Sequence, residues 1–510
     1  MPKRPNFIFF ITDQHRADYL GCMGHPFLQT PNIDAMAAQG TVWDKFYVAS
    51  PVCMPNRASL MTCRMPSSHD VRSNGISLDK RNVTFVELLR DAGYRTALIG
   101  KSHVQNHSVK PPMLKRPETR EGYHHANGPL SEAVRHDLAN LTQEKENPAE
   151  LETPYYGFDH VELATGHGDR LGGHYREWLL RQDPNADSLL GPENQIPHDY
   201  SCPQAVRTAL PADLYPSQWI AQRSVDWINA QGDDPWFLLV SFPDPHHPFN
   251  PPGKYWDMYS PDDMPVPQAF ASNDWAPPPH VAGMIEERKD GNANLNGMGT
   301  IGVSAREAQE AQALTCGMIT MIDDCIGQVR AASGAAEAVQ IFTTDHGDHL
   351  GDHKLMFKGA EQYEQITHVP MIWSDPDDPM PKRTNTIGQT HDLGTTILDR
   401  ARIEPAIGMQ GISLLTESRD HAFIQYDHQK TNPGIGVGPR VHTIRDDRWR
   451  LSMFESVAWG ELYDLESDPG ELRNLWDDPS NALAQARLIM TLARAEMKCV
   501  DRVPFPTAQA

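Results

Sequence analysis

Cys53-Met54-Pro55-Asn56-Arg57, inside "SPVCMPNRASLMTCRMP" (Ser50–Pro66), brings together residue types suited to nucleophilic chemistry. Pro51 and Pro55 stiffen the approach, and "NRASLMT" reads as the first turns of a helix, so Cys53 falls at a helix N-terminus. Free N–H groups and the helix dipole favour negative charge there, and Arg57, one turn in, offers a forked donor. The other reading is a buried structural cysteine, since a free Cys packs as a small hydrophobe. Asp13 and Gln14 close "NFIFFITDQ", and Asp345 and His346 sit in "FTTDHGDHLGDHKLMFKG", where Gly347 permits a sharp exit of the backbone. Carboxylates from two strands plus an imidazole suit one hard or intermediate divalent ion, with Gln14 as a further oxygen; a polar strand-end turn is the plainer reading of Asp13. Asp348, His349, Asp352 and His353 read first as a solvated turn. Lys101 and His103 follow "RTALIG", His246 and His247 stand between prolines in "DPHHPF", and Lys358 lies thirteen positions after Asp345. Lysines are most often surface charges, but two of them beside a metal would hold a tetrahedral oxyanion, with an imidazole as acid or base.

The elements that must position these groups are legible as alternating short apolar runs and helical periods. Asn6–Thr12, Arg95–Gly100, Trp236–Phe242, Val339–Thr344 and Val369–Trp373 read as buried strands; Asn82–Tyr94, Ser217–Gln231 and Ala305–Ala332 read as helices. The expected fold class is α/β, a large mostly parallel sheet flanked by helices. In such folds ligands bind beyond the carboxyl ends of the strands, where Asp13, Lys101 with His103, and Asp345 with His346 all fall. Ser102 to about Tyr215 and Pro251 to about Thr300 read as long polar excursions over one face. From about Gln410 short strands with turn signals and a final amphipathic helix predict a smaller C-terminal α+β domain, so residues 1–409 form the catalytic domain and 410–510 the second. "GIGVG" (Gly434–Gly438) lacks a following helix and reads as a loop.

Composition narrows the class. A formal net charge of −22 over 510 residues excludes a nucleic-acid scaffold and leaves any anionic substrate to be drawn in by local cations. No apolar run approaches the roughly 18–20 residues of a membrane span, and the run from Phe7 to Ile11 stops at Asp13 without a cleavage site. Seven scattered cysteines fit a reducing compartment, so a cytoplasmic location with no membrane partner is expected.

Taken together these motifs resemble the formylglycine-dependent sulfatases of the alkaline phosphatase superfamily, over nearly the whole chain. The hallmark Cys-x-Pro-Ser-Arg with a Leu/Met-Thr-Gly ending stands here as Cys53 to Arg57 and Leu60-Met61-Thr62-Cys63, with Asn56 for Ser and Cys63 for Gly. Asp13-Gln14 is similar to the first metal cluster, Gly100–His103 to the Gly-Lys-x-His element, and "PHHP" to the Pro-His-x-Pro element, pointing to His246. Asp345-His346-Gly347 is similar to the second metal cluster, Lys358 to the later lysine, and "GELYDLESDPGELRNL" (Gly460–Leu475) to the C-terminal signature. The metal pattern is closer to choline sulfatases and phosphonate monoester hydrolases than to lysosomal arylsulfatases.

The resemblance implies a metal-dependent hydrolase of sulfate monoesters, arylsulfatase-like, with Asp13, Gln14, Asp345, His346 and the modified Cys53 around one divalent ion, Ca²⁺ or Mn²⁺. A formylglycine-generating maturation enzyme would oxidise Cys53; one hydroxyl of the aldehyde hydrate would attack sulfur, and the leaving alcohol would depart with help from His246 and Lys358. Lys101 and Lys358 would neutralise the non-bridging oxygens, and Arg57 would steady the hydrate. His103 would take the proton of the second hydroxyl, expelling sulfate and restoring the aldehyde. The implied substrate is a small anionic sulfate or phosphonate ester, and the implied assembly a homo-oligomer, dimer or tetramer. Two alternatives stand beside this: a phosphonate monoester hydrolase or phosphodiesterase on the same scaffold, and a non-catalytic oxyanion-binding protein with unmodified Cys53.

Overall fold

Phe7, Phe9 and Ile11 point to one face of the first strand and Ile8 and Phe10 to the other, and all five are buried. A strand apolar on both sides needs a cover on both sides. A computed structural model of the chain describes residues 4–106, 151–272, 275–332, 334–379 and 382–503, with 506, 508 and 509. Among them the main sheet has eight strands: β1 (Phe7–Thr12), β2 (Thr41–Trp43), β3 (Arg95–Gly100), β4 (His160–Thr165), β5 (Trp236–Ser241), β6 (Val339–Thr344), β7 (Ile372–Ser374) and β8 (Lys382–Thr384). Across the sheet they run β8-β2-β7-β6-β1-β5-β3-β4. Every neighbouring pair is parallel except those of β7, which is antiparallel to both β2 and β6.

The helices that carry the argument are α1 (Cys53–Thr62), α2 (Phe85–Asp91), α3 (Pro216–Asn229), α4 (Ala305–Arg330), α5 (Asp392–Ala401) and α6 (Ala482–Cys499). Phe7, Phe9 and Ile11 pack with Met54, Leu60 and Met61 of α1, Phe85 of α2 and Ile397 of α5. Ile8 and Phe10 pack with Trp219 and Ile220 of α3 and Ile322 and Ile326 of α4. Thr84 and Ser304 each close a capping box, with Glu87 and Glu307, which sets where α2 and α4 begin.

A second, antiparallel sheet follows: β9 (His421–Asp427), β10 (Arg440–Asp446), β11 (Trp449–Phe454) and β12 (Gly460–Asp464), in that order. Phe423, Ile444, Leu451 and Leu462 face α6 through Leu488 and Leu492. Fully buried Arg450 is neutralised by Glu461 at 2.9 Å and by Glu471.

The expected α/β sheet with a smaller C-terminal α+β unit is thus observed. One expectation needs correction. The stretch from Ser102 to about Tyr215 is not only an excursion, because it supplies β4 and the helix Gly173–Gln182; its residues 107–150 lie outside those described. Pro251 to about Thr300 likewise holds the helix Pro279–Lys289. Among the described residues no helix is long and apolar enough to cross a membrane.

Close packing at the end of β3 makes Gly100 obligatory. Its φ is +111°, and a Cβ there would lie 1.9 Å from the Ser241 carbonyl oxygen, whereas Gly93, at φ +93°, has nothing within 4 Å. Gly93→Ala should therefore cost about 1 kcal/mol of backbone strain alone. Gly100→Ala should cost upward of about 3 kcal/mol, because backbone must move as well. Thermal unfolding of the two variants checks this, and equal shifts would refute the steric account.

Candidate active site

Register brings the chemistry to one edge. Ile11 pairs with Ser241, Gly100 with Ser241, and Thr12 with Thr344, so β1, β3, β5 and β6 end at one level. The backbone stays stitched past the strand ends: Asp13 N–H donates to Asp244 O (3.1 Å), Asp345 N–H to Thr12 O (3.3 Å) and Lys101 N–H to Ser241 O (2.9 Å). Asp13, Lys101, the His246–His247 loop and Asp345-His346 therefore share one buried centre. Lys101 Nζ donates to Asp13 Oδ2, and Arg57 Nη2 lies 3.8 Å from the same oxygen. Arg57 Nε donates to Asp345 Oδ2 (2.8 Å), while its Nη1 donates to Ser241 Oγ (2.9 Å) and Lys101 O (3.1 Å). Burial alone would raise the Asp13 pKa, but the charges of Lys101 and Arg57 hold it well below the usual carboxylate range.

Helix α1 begins at Cys53 itself. The thiol sulfur, standing where an oxygen of formylglycine would stand, lies 3.0 Å from His346 Nε2 and 3.8 Å from Asp13 Oδ1. His346 Nδ1 is 3.0 Å from Gly347 O, so a proton there turns the Nε2 lone pair toward the carboxylates. Nε2 is 3.6 Å from Asp13 Oδ1 and from Asp345 Oδ1. Burial and the charge of Lys358 lower the His346 pKa to about 4, which keeps the ring neutral, and burial with Asp13 pushes the Cys53 thiol up to about 12. One donor atom each from Asp13, Cys53, Asp345 and His346 lies within 4.8 Å of the others, all buried. Two carboxylates and a neutral imidazole closing on one point fit a single divalent cation.

Gln14 takes the left-handed conformation, φ +65°. Its Oε1 accepts from Lys358 Nζ (2.5 Å) and its Nε2 donates to Asp348 Oδ2, so in this arrangement its side-chain oxygen is turned to the lysine. Asp348 thereby belongs to the site at one remove, held by the N–H groups of Leu350 (2.9 Å) and Phe357 (2.8 Å). The other three residues of that turn are structural: Asp352 pairs with Arg16, His349 lies 3.7 Å from Glu361, and His353 stacks on Tyr363.

Lys358 Nζ is also 2.7 Å from His246 Nε2. The His246 ring stacks at 3.7 Å on His167, whose Nε2 is 2.7 Å from Lys101 Nζ. Burial, with the neighbouring lysines, lowers both rings well below the usual imidazole value. His247, the other candidate of the pair, turns its Nδ1 to Gln14 Nε2 at 3.0 Å. His103 is buried at φ +57°, with its ring 6.4 Å from that of His167.

His167 is the residue the sequence reading missed. It follows β4 directly, as Gly166-His167-Gly168 after "HVELAT", and that strand-end pattern was the available signal. Of the two departures in the Cys53 motif, Asn56 has a local explanation in its contacts and Cys63 has none. Asn56 Oδ1 accepts from Ala49 N–H (3.0 Å) and Thr390 Oγ1 (2.6 Å), while its Nδ2 donates to Asp345 O (2.5 Å). Cys63 caps α1 in the left-handed conformation, φ +54°, which glycine adopts more readily.

A mostly parallel α/β sheet with an antiparallel C-terminal unit, carrying these groups on its strand ends, is a fold this chain shares with solved hydrolases. Within it the chain belongs to the sulfatase family: residues 5–403 match the model described as Sulfatase. Residues 351–498 match "N-sulphoglucosamine sulphohydrolase, C-terminal". An arylsulfatase of Clostridium perfringens is 29% identical over 486 residues, 92% of this chain and 90% of that one. A choline-sulfatase of Rhizobium meliloti is 25% identical, over 98% and 88% of the two chains. The crystal structure of a phosphonate monoester hydrolase of Agrobacterium radiobacter superposes with a TM-score of 0.77 at 24% identity, covering 98% of this chain and 97% of that one.

Asp13 and Asp345 each neutralise a buried cation, so His346 is the donor that can be removed without stranding one. His346→Ala should stay folded yet bind Mn²⁺ or Ca²⁺ at least about 100-fold more weakly than the unaltered protein. Metal titration followed by calorimetry reads this, and unchanged affinity would mean that the cluster is not the metal site.

Proposed function

We propose that this chain is a sulfuric ester hydrolase whose nucleophile is built from Cys53 oxidised to formylglycine. The observation that carries this is the placement of the Cys53 sulfur at a helix start, 3.0 Å from His346 Nε2 and 3.8 Å from Asp13 Oδ1. Asp13, Asp345 and His346, with Gln14 nearby, would hold one Ca²⁺ or Mn²⁺. When bound, that ion acidifies the nucleophile's hydroxyl and offsets charge on the sulfate oxygens.

The chain's own residues divide the remaining work. Lys101 and Lys358 flank the centre on the Asp13 and Gln14 sides, where they face the non-bridging oxygens of a bound ester. Arg57 fixes Asp345 and, through Ser241 and the Lys101 carbonyl, the start of α1. His246, beside Lys358, is placed to see the leaving alcohol depart with its proton. His103 is the base for the second half of the reaction, and His167, against Lys101, orients that ammonium. Residues 1–409 carry this centre, and 410–510 form the smaller unit packed against it.

The competing reading, a phosphonate monoester hydrolase, shares the metal cluster and differs in the reacting centre; Lys101 with His103 favours sulfate. Purified protein should hydrolyse an aryl sulfate with higher kcat/KM than an aryl phosphonate monoester or a phosphodiester, and the reverse order would replace the first reading by the second. The tryptic peptide Phe46–Arg57 should be lighter than its thiol form, whereas a wholly unmodified peptide without turnover would leave an oxyanion-binding protein. Lys358→Met should lower kcat by about 10²–10³-fold, the size expected for one preorganised donor to a developing oxyanion.

A further inference from the structure

Lys358 has a second exposure. Beyond its contacts with Gln14 and His246 it lines a cavity of about 660 Å³, within the roughly 300–1,000 Å³ typical of small-molecule sites. Part of the lining is a hairpin of the C-terminal unit, Thr431–Asn432 paired with Gly436–Val437. That hairpin is held in place: Asn432 Nδ2 donates to Glu361 Oε1 (3.1 Å), Gly438 N–H to Lys430 O (3.1 Å), and Lys430 N–H to His428 Nδ1 (2.9 Å). Lys430, which leads into the hairpin, lines the cavity with His428, and among the lining residues from this segment it is the lysine.

Elsewhere in this acid-rich chain Lys101 has Asp13 and Arg450 has two glutamates as partners, while buried Lys358 is held by Gln14 and His246. Lys430 is half-buried and forms no ion pair with any described carboxylate; burial and the charge of Lys358 lower its pKa, with no anion to offset them. Glu287, the acidic side chain on the lining, is exposed. Gly299 keeps the approach open, since a Cβ there would come 3.0 Å from Lys430 Nζ. Two lysines with a histidine thus line one cavity, and Lys358 also borders the reacting centre.

Resting on the hydrolase reading above, we infer that the substrate carries a second anionic oxygen group, remote from the ester, and that Lys430 binds it. The cavity then holds the non-reacting part of the ester, and Lys430 selects substrates by their charge. The test uses full-length, matured protein with phenyl sulfate and 3-carboxyphenyl sulfate. The carboxylated ester should have the higher kcat/KM by about 10-fold, mostly through KM, the size of one charge-assisted contact. Lys430→Met should bring that ratio close to one, Lys430→Arg should restore it, and Lys430→Glu should invert it. A ratio that is the same in the unaltered protein and Lys430→Met overturns the inference. Calorimetric binding of both esters to Cys53→Ala, alone and with Lys430→Met, separates the two failures. Absence of turnover counts against the hydrolase reading, whereas equal binding of the two esters by Cys53→Ala counts against Lys430.

Discussion

Burying charge at the end of a sheet is possible here because Asp13 and Asp345 each have a cation at hand. Asp13 sits between Lys101 and Arg57, and Arg57 reaches on to Asp345, so three strand ends and one helix start share a single charge-balanced knot. An isolated ion moved into such a place would cost several kcal/mol, and the loss of one partner strands the other. The knot dictates where α1 begins, because the guanidinium one turn into that helix also binds Ser241 and the Lys101 carbonyl. The position of Cys53 and the sheet register are therefore one constraint.

The C-terminal sheet repeats this logic on a smaller scale. Arg450 is buried on β11 between Glu461 of β12 and Glu471 in the turn that follows. Asn474 accepts from Leu462 N–H at 3.0 Å and so folds the segment back on its own strand. The stretch Gly460–Leu475 thus works as architecture: it closes the sheet that holds the Lys430 hairpin against the main body.

Much of this was legible because buried parallel strands announce themselves. β1, β3, β5 and β6 are six-residue runs with scarcely an exposed position; the residue after β1, β3 and β6 is a candidate for chemistry, and the histidine pair follows β5 a few residues on. β4 was not legible, since it is an edge strand with partly exposed positions and resembles its polar surroundings, and His167 was lost with it. β2 and β8 span three residues each, too short to show a period; the strand read over Val369–Trp373 is observed only as β7, Ile372–Ser374, and its antiparallel sense follows from pairings that local sequence does not encode. The choice between His246 and His247 was underdetermined for a similar reason. Both rings enter the centre, one toward Lys358 and one toward Gln14, and only the loop's path separates them.

All ten residues of α1 are buried, Cys53 among them at 1% exposure. A folded protein offers no handle on a segment it encloses, so an enzyme that rewrites Cys53 must meet "CMPNR" as open chain, before α1 docks on the first face of the sheet. Folding then sets a deadline for the chemistry. On the proposed conversion, two populations would follow from one gene product, one that docked late enough to be converted and one that closed over its thiol, and their proportion would be set before folding and not by any later equilibrium.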